Sequence, residues 1–353
     1  MLLTGPLRVL KMRFPEAILD VAVTAAAMPL LAHLSFINRV FSLEASTSES
    51  PNETPEKIFD SAIAAGYDLV LVFHGSLSTA WKGRQLKRRG GVCIVNHHEL
   101  GQTFSSFLVR RILSSLPVPN QGLLKANIDR DLDLLRAISL EVSLAEAMPE
   151  LSVSQEEVMR AQQMLLQSGP SQNSMYIFLG IGASRETKRW PVTHFLELAK
   201  GLLKAYPNVH FVISTLGAES AMGIELMALF KRNIGEMISH FQDLSLRETM
   251  SLIFQCRAYI GNDSGLKHVA VGLGISTLTF FGPEDPLEWH PYSQSEHPYL
   301  FLNALACRTL NGKHWCAIPV CHSYGHQCMK NLAPEMALEK ALTILTNHHR
   351  VNA

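Results

Sequence analysis

From residue 175 to 281 the chain alternates short apolar runs with stretches of helical periodicity, and this rhythm limits its fold more than any other feature. The run 175–179 gives way to Gly180-Ile181-Gly182-Ala183-Ser184. After Pro191, Phe195, Leu198, Ala199, Leu202 and Leu203 fall on one face of a helix that Pro207-Asn208 stops. Residues 210–214 read as the next strand and 219–230 as the next helix, and Ser245-Leu246-Arg247-Glu248 is a capping box that opens a helix ending near Gln255. The run 258–260 leads into a helix over 265–273, and 277–281 is a further strand. Strands separated by helices of this length imply a parallel sheet covered by helices on both faces. Ligands of such sheets sit at the carboxyl ends of the strands, where both glycine-bearing turns fall, one after Leu179 and one after Ile260.

The second turn reads Gly261-Asn262-Asp263-Ser264-Gly265-Leu266-Lys267-His268. A strand that turns sharply into a helix presents free N–H groups and the positive end of the helix dipole, which suits phosphate. Gly265 would let the backbone approach a ligand closely, and Asp263 could accept hydrogen bonds from sugar hydroxyls. Asn, Asp and Ser are also the residues of ordinary turns and N-caps, so both readings stand. The first turn continues through Ser184 to Lys188-Arg189-Trp190-Pro191. Two cations beside a glycine-rich strand end suit a diphosphate, with Lys188 as a compact charge on a leaving phosphate. The competing reading is a pair of solvated helix-flanking charges. The Gly-x-Gly element lacks the third glycine of a dinucleotide fingerprint and is not a P-loop, so neither NAD nor ATP chemistry is indicated.

The first half repeats the rhythm less clearly. Helix is expected over 7–13, 29–34 and 55–65, strand over 18–23, 39–43, 69–73 and 92–95, a polar loop over 44–55, and an amphipathic helix within 121–140 with Leu132, Leu135 and Ile138 inward. A polar helix near 154–167 leads into Ser168-Gly169-Pro170-Ser171-Gln172-Asn173, the best linker. A chain of 353 residues exceeds one core, and the expected domains are 1–167 and 174–353.

Hydrophobic residues at 47%, charged residues at 18% and zero net charge exclude a disordered chain and give no reason to expect nucleic acid as a partner. No window reaches the roughly 18 apolar residues of a spanning helix. The richest stretch, 21–34, follows Arg8, Lys11, Arg13, Glu16 and Asp20, which does not fit a signal peptide, so the cytoplasm is the expected compartment. Cys307, Cys316, Cys321 and Cys328, with His314, His322 and His326 interspersed, contain no Cys-x-x-Cys pair and match no zinc spacing; no metal site is expected. His97-His98-Glu99 lacks the helical spacing of a zinc site. Trp81, Lys82, Arg84, Lys87, Arg88 and Arg89 read either as a solvated basic face or as a surface for anionic acceptor sugars or a lipid head group.

Taken in order, Gly180-x-Gly182-Ala183-Ser184, Lys188-Arg189-Trp190-Pro191, Asn262-Asp263-Ser264-Gly265-x-x-His268-x-Ala270, and Phe281-Gly282-Pro283 with Trp289 and Pro291 resemble the motifs of glycosyltransferase family 9, the lipopolysaccharide heptosyltransferases. The resemblance is specific over 175–291 and fainter elsewhere. It implies an α/β protein of GT-B fold, two facing Rossmann-like domains with parallel sheets. The C-terminal domain would hold an ADP-heptose donor and the N-terminal domain the lipid A and core-sugar acceptor. It further implies inverting transfer at the inner face of the cytoplasmic membrane, by peripheral contact, with no cofactor beyond the donor and a divalent ion left open. Lys188 would contact the donor diphosphate and Asp263 the sugar portion. Ser184, Ser264, Gly265 and His268 would lie at the phosphates or their immediate shell, with Gly182 and Ala183 leaving room for the donor.

The family opens with a strand and a Gly-Asp turn whose aspartate is the expected general base. Met1-Leu2-Leu3-Thr4-Gly5-Pro6-Leu7 resembles the residues after that turn, so the first strand and the base are expected to be missing. Asp20, Asp68 and His74 are nearby substitutes that read more simply as strand-edge or loop residues. Two other classes remain in view: a non-catalytic nucleotide-sugar-binding homologue, and a sugar-nucleotide epimerase on a similar scaffold. The transferase expectation requires both glycine-bearing corners to converge on one pyrophosphate.

Overall fold

The computed structural model describes residues 1–42, 55–74, 76–96, 104–118, 125–170, 173–309, 321 and 325–347. The chain forms two compact units, one over Leu2–Pro149 and one from Glu150 onward, with Met1 grouped in the second.

In the first unit α1 (Thr4–Arg13), β1 (Asp20–Val23), a 3-10 turn (Ala25–Leu31), β2 (Arg39–Ser42), α2 (Pro55–Ala65), β3 (Tyr67–Val72), α3 (Leu77–Leu86), β4 (Lys87–Val95), α4 (Phe104–Leu113) and α5 (Asn127–Arg136) follow in order. β1 pairs with β2 and β3 with β4, both in parallel. The core gathers Leu7, Val9, Ile94, Ile128, Leu132 and Leu135. α5 follows its amphipathic pattern: Leu132 and Leu135 are fully enclosed, while the expected third member, Ile138, lies past the helix end and is partly buried. Its polar face is a network in which Lys125 bridges Asp129 (3.1 Å) and Asp133 (2.7 Å), and Arg136 bridges the same two carboxylates (2.7 and 2.9 Å).

The second unit runs α6 (Gln155–Gln167), β5 (Met175–Gly180), α7 (Val192–Ala205), β6 (Val209–Thr215), α8 (Ser220–Ile234), β7 (Ile238–Gln242), α9 (Leu246–Gln255), β8 (Ala258–Asn262), α10 (Gly265–Gly272), β9 (Ser276–Phe281), α11 (Pro286–Trp289), β10 (Tyr299–Phe301), α12 (Ala306–Thr309), α13 (Gln327–Lys330) and α14 (Pro334–Asn347). Its six strands stand in the order β10-β9-β8-β5-β6-β7, every neighbour parallel, as the alternation requires. Phe195, Leu198 and Leu202 of α7 pack on Ile177, Phe211 and Phe280 of the strands, each burial stabilising by roughly 1.5–3 kcal/mol.

Two findings depart from the sequence reading. The division falls at Pro149/Glu150 rather than in the 168–173 linker, so α6 belongs with the second unit. The cause is local: Leu151 N–H donates to the Gly272 carbonyl at 2.7 Å, and Arg247 of α9 forks onto the Glu157 carboxylate. The strands β7 and β10 were also not anticipated. β7 reads Ile-Ser-His-Phe-Gln, and its polar members bond inward, Ser239 to His210 and His240 to Thr215, both at 2.7 Å.

Candidate functional site

The sheet order reverses between β5 and β8. From β5 the chain works outward through β6 to β7, and from β8 through β9 to β10. Crossovers leave in opposite directions there, which opens a crevice at the strands' carboxyl ends. Both glycine-bearing corners lie at that point, on neighbouring strands with Gly180 in register with Gly261. The two glycines explain the closeness. A Cβ on Gly180 would run into the Tyr259 phenol, and one on Gly261 into the Gly180 backbone.

Asn262 fastens one corner to the other. Its amide nitrogen donates to the Ile181 carbonyl at 2.7 Å, and its amide oxygen accepts from the Trp190 N–H at 2.9 Å. Trp190 is itself fixed by its indole N–H on the Leu332 carbonyl (2.8 Å) and by Phe195 and Phe280 against its ring. The segment between the glycine turn and Trp190 is thereby held over the second corner.

That segment brings Lys188 to Asp263: Nζ lies 2.6 Å from Oδ2. Lys267, one helical turn beyond Asp263, places its Nζ 2.5 Å from Oδ1 and over the Phe281 ring at 4.2 Å. Burial would raise the Asp263 carboxyl, but Lys267 and Lys188 together hold it below the ordinary carboxylate range. Burial pulls Lys267 down to about 8 against the attraction of Asp263. Asp263 is only 3% exposed with an ammonium on each oxygen, so it orders the two lysines. Lys267 went unnoticed in the sequence. Its signal was the i to i+4 spacing from Asp263 across the strand-to-helix corner.

Ser264 is the N-cap of α10, yet its side chain makes no cap bond; its hydroxyl instead meets the Tyr259 hydroxyl at 3.1 Å. Gly265 is exposed, and the first N–H groups of α10 head the crevice. His268 lies deeper, 6% exposed, with Nδ1 2.5 Å from the Tyr292 hydroxyl, and burial lowers its pKa so that it stays neutral. A neutral imidazole in that shell orients groups rather than supplying charge to a phosphate.

On the first corner Ser184 is exposed and Ala183 buried. The Glu219 carboxylate stands over Gly182, where a Cβ would collide with it, and accepts from the Ala183 N–H. Burial raises its pKa. This carboxylate had no sequence signal, and a partly buried acceptor there suits hydroxyls better than a phosphate. Arg189 turns back to the Ala183 carbonyl (3.1 Å) and Arg185 pairs with Glu284, leaving Lys188 as the cation of its loop that reaches Asp263.

In the first unit Asp20 is engaged by Arg39 (2.9 Å), Asn38 (2.8 Å) and Tyr67 (2.7 Å), and Asp68 by Arg88. His74 Nε2 faces the buried Asp131 carboxylate at 3.0 Å. In the basic cluster Arg84 donates to the Leu113 carbonyl and Lys87 to the Gly91 carbonyl, while Trp81 is exposed. Cys307 and Cys321 are free thiols, Cys328 is partly buried, and among the described residues no group of three or more His, Cys, Asp or Glu could hold a metal ion. Cys316, His314, His322 and the His97-His98-Glu99 triplet lie outside the described residues. Among the described residues no helix is long and apolar enough to cross a membrane.

With this geometry in view, the likenesses to known proteins agree. A family model for glycosyltransferase family 9 (heptosyltransferase) matches residues 57–309. Lipopolysaccharide heptosyltransferase 2 of Salmonella typhimurium is 24% identical over 356 residues, spanning 96% of this chain and 93% of that protein. The Escherichia coli protein of the same name is 24% identical over 353 residues, spanning 96% and 92%. Among solved structures, E. coli ADP-heptose LPS heptosyltransferase II superposes with a TM-score of 0.73 at 22% identity, covering 98% of this chain and 94% of that one. A family 9 glycosyl transferase from Veillonella parvula gives 0.72 at 17%, covering 98% and 93%. At these identities the superpositions carry the fold, the expected GT-B arrangement. A family match over most of the chain, falling on the corners that Asn262 joins, means that this chain belongs to glycosyltransferase family 9, the heptosyltransferases.

Proposed function

We propose that the protein transfers a heptose from ADP-heptose to the inner core of a lipopolysaccharide acceptor, with inversion at the donor carbon. The observation that supports this most is the Lys188–Asp263–Lys267 cluster at the sheet's switch point, beside the N-terminus of α10, whose N-cap Ser264 makes no side-chain cap bond. Two ammonium groups against one carboxylate leave a net positive charge where the strands end, and a leaving diphosphate needs that charge as the glycosidic bond breaks. Lys188 is the member with access, its side chain 13% exposed against 0% for Lys267. The Glu219 carboxylate over Gly182 suits the hydroxyls of a ribose, which orients the nucleotide outward along the first corner.

Inversion requires the acceptor hydroxyl to attack opposite the diphosphate while a base takes its proton, a contribution of about 10²- to 10⁴-fold. No cofactor is required, because the donor carbon is already activated by its diphosphate. A divalent ion as additional counter-charge is tested by comparing rates before and after chelation. The acceptor's lipid places the work at the inner face of the cytoplasmic membrane through peripheral contact.

The test has two arms. Calorimetric titration with ADP, UDP and GDP is expected to give the tightest binding for ADP. Incubation with ADP-heptose and a heptose-deficient core acceptor is expected to move labelled sugar onto lipid, and Lys188→Ala to lower turnover by about 10²-fold. Equal affinity for the three nucleotides, or unchanged turnover in Lys188→Ala, would remove this assignment. ADP binding without transfer would favour the binding-only homologue.

A further inference from the structure

Lys267 stands behind Asp263, wholly enclosed at 0% exposure, with its ammonium on the Phe281 ring. An apolar chain of the same length would fill the space, and desolvating an ammonium costs several kcal/mol. Without Lys267, the buried Asp263 would have Lys188 as its remaining counter-ion, and a neutral, closed pair would turn Lys188 inward.

We propose that Lys267 is a positioning residue for the donor diphosphate: as the standing counter-ion of Asp263, it releases Lys188 to the diphosphate and leaves the cluster with one net positive charge. This rests on the crevice being the nucleoside-diphosphate site proposed above. Lys267 is enclosed, so it acts through Asp263 and Lys188 rather than by touching the ligand.

The arrangement makes diphosphate binding sensitive to alkali. The groups facing the cluster are Asp263 from the preceding turn, Lys188 from the 3-10 turn Glu186–Lys188, His268 from the same helix, His290 after α11 and the α-amino group of Met1, which acts on His268 and is of a kind that ordinarily titrates at about 8, so the comparison with Lys267→Met separates the two amines. Burial keeps both histidines neutral, His290 down at about 3, and pushes the nearby Tyr259 and Tyr292 well above the usual phenol range. Burial lowers the Lys267 pKa from the ordinary lysine range towards the tested one. Once Lys267 is neutral, Lys188 is the remaining counter-ion of Asp263, and the cluster's net charge falls from plus one to zero. The terminal phosphate of ADP, with a second pKa of about 6, is already ionised in that range.

The experiment is calorimetric titration of the full chain with ADP from pH 7.5 to 9.5, for wild type and Lys267→Met, with circular dichroism to compare their folds. Wild-type Kd is expected to rise on the order of tenfold across the range. Lys267→Met is expected to bind about tenfold more weakly at pH 7.5, with a Kd that stays flat as pH rises. A variant that is merely less stable would keep the wild-type slope. Wild-type ADP binding that is constant with pH, or Lys267→Met with the wild-type Kd and slope, overturns the proposal and leaves the diphosphate site standing. Wild type that binds no ADP at any pH overturns the site itself. Should Lys267→Met not fold, Lys267→Gln takes its place with the same expected and overturning results.

Discussion

Asn262 spends its whole side-chain amide on joining two corners: one end holds the Ile181 carbonyl and the other the Trp190 N–H, both buried. Asn262→Ala strands both partners, at about 1–3 kcal/mol each, and a loss of about 2–6 kcal/mol in urea titration is expected. A loss below about 0.5 kcal/mol would mean the corners are held by something else. Asp263→Ala removes the counter-charge of an enclosed ammonium, so it is expected to lower stability by about 3 kcal/mol as well as activity, whereas the more accessible Lys188→Ala leaves the thermal midpoint nearly unchanged. Equal midpoints for the two variants would contradict the division of roles. The turn Asn262-Asp263-Ser264-Gly265 was legible as a site because a polar cluster at a strand-to-helix junction is uncommon among apolar neighbours. What Asp263 does was not legible. Whether a carboxylate meets a sugar or two lysines depends on which loop folds over it, and Lys188 arrives from 75 positions earlier in the chain, that is 263 minus 188.

α6 is joined to α9 by a charged fork. Arg247 Nε reaches Glu157 Oε1 at 2.7 Å and its NH2 reaches the other oxygen, while Nη1 donates to the Ser152 carbonyl at 2.9 Å. Glu157 also closes the capping box with Ser154. The Arg247 hydrogen bonds, against a smaller opposing effect of burial, hold its carboxyl down at about 2 from an ordinary 4.5. The folded value lies below the unfolded one. The contribution is therefore complete above pH about 4.5 and disappears as pH falls towards 2. Glu157→Gln is expected to lower stability at pH 7 by about 2 kcal/mol, and the gap from wild type to narrow below pH 4. A gap that is the same at pH 7 and pH 3 would show that the pairing contributes nothing. Periodicity found α7 because it buries one stripe of apolar side chains, and the capping box found α9. Periodicity missed β7 because an edge strand whose Ser239 and His240 are satisfied by neighbours has no apolar alternation to display.

At the scale of the molecule, the boundary at Pro149/Glu150 makes α6 part of the second unit. A fragment 150–353 is expected to melt cooperatively and to bind ADP within about threefold of the full chain. A fragment 174–353, cut at the linker that glycine and proline advertise, loses α6 and the Leu151 bond to Gly272, and is expected to melt at least ~4 °C lower or to aggregate. Indistinguishable fragments would return the boundary to the linker. The sequence by itself determined the layer order: apolar runs and helices in alternation can bury their faces only as a parallel sheet between helices, and two glycine-bearing turns must then lie at strand ends. Only the tertiary structure decided that those turns fall on adjacent strands and share one amide, and that the aspartate between them is enclosed by two lysines. Periodicity records which face of an element is buried, whereas strand order and the meeting of distant charges follow from long-range packing that no local pattern encodes.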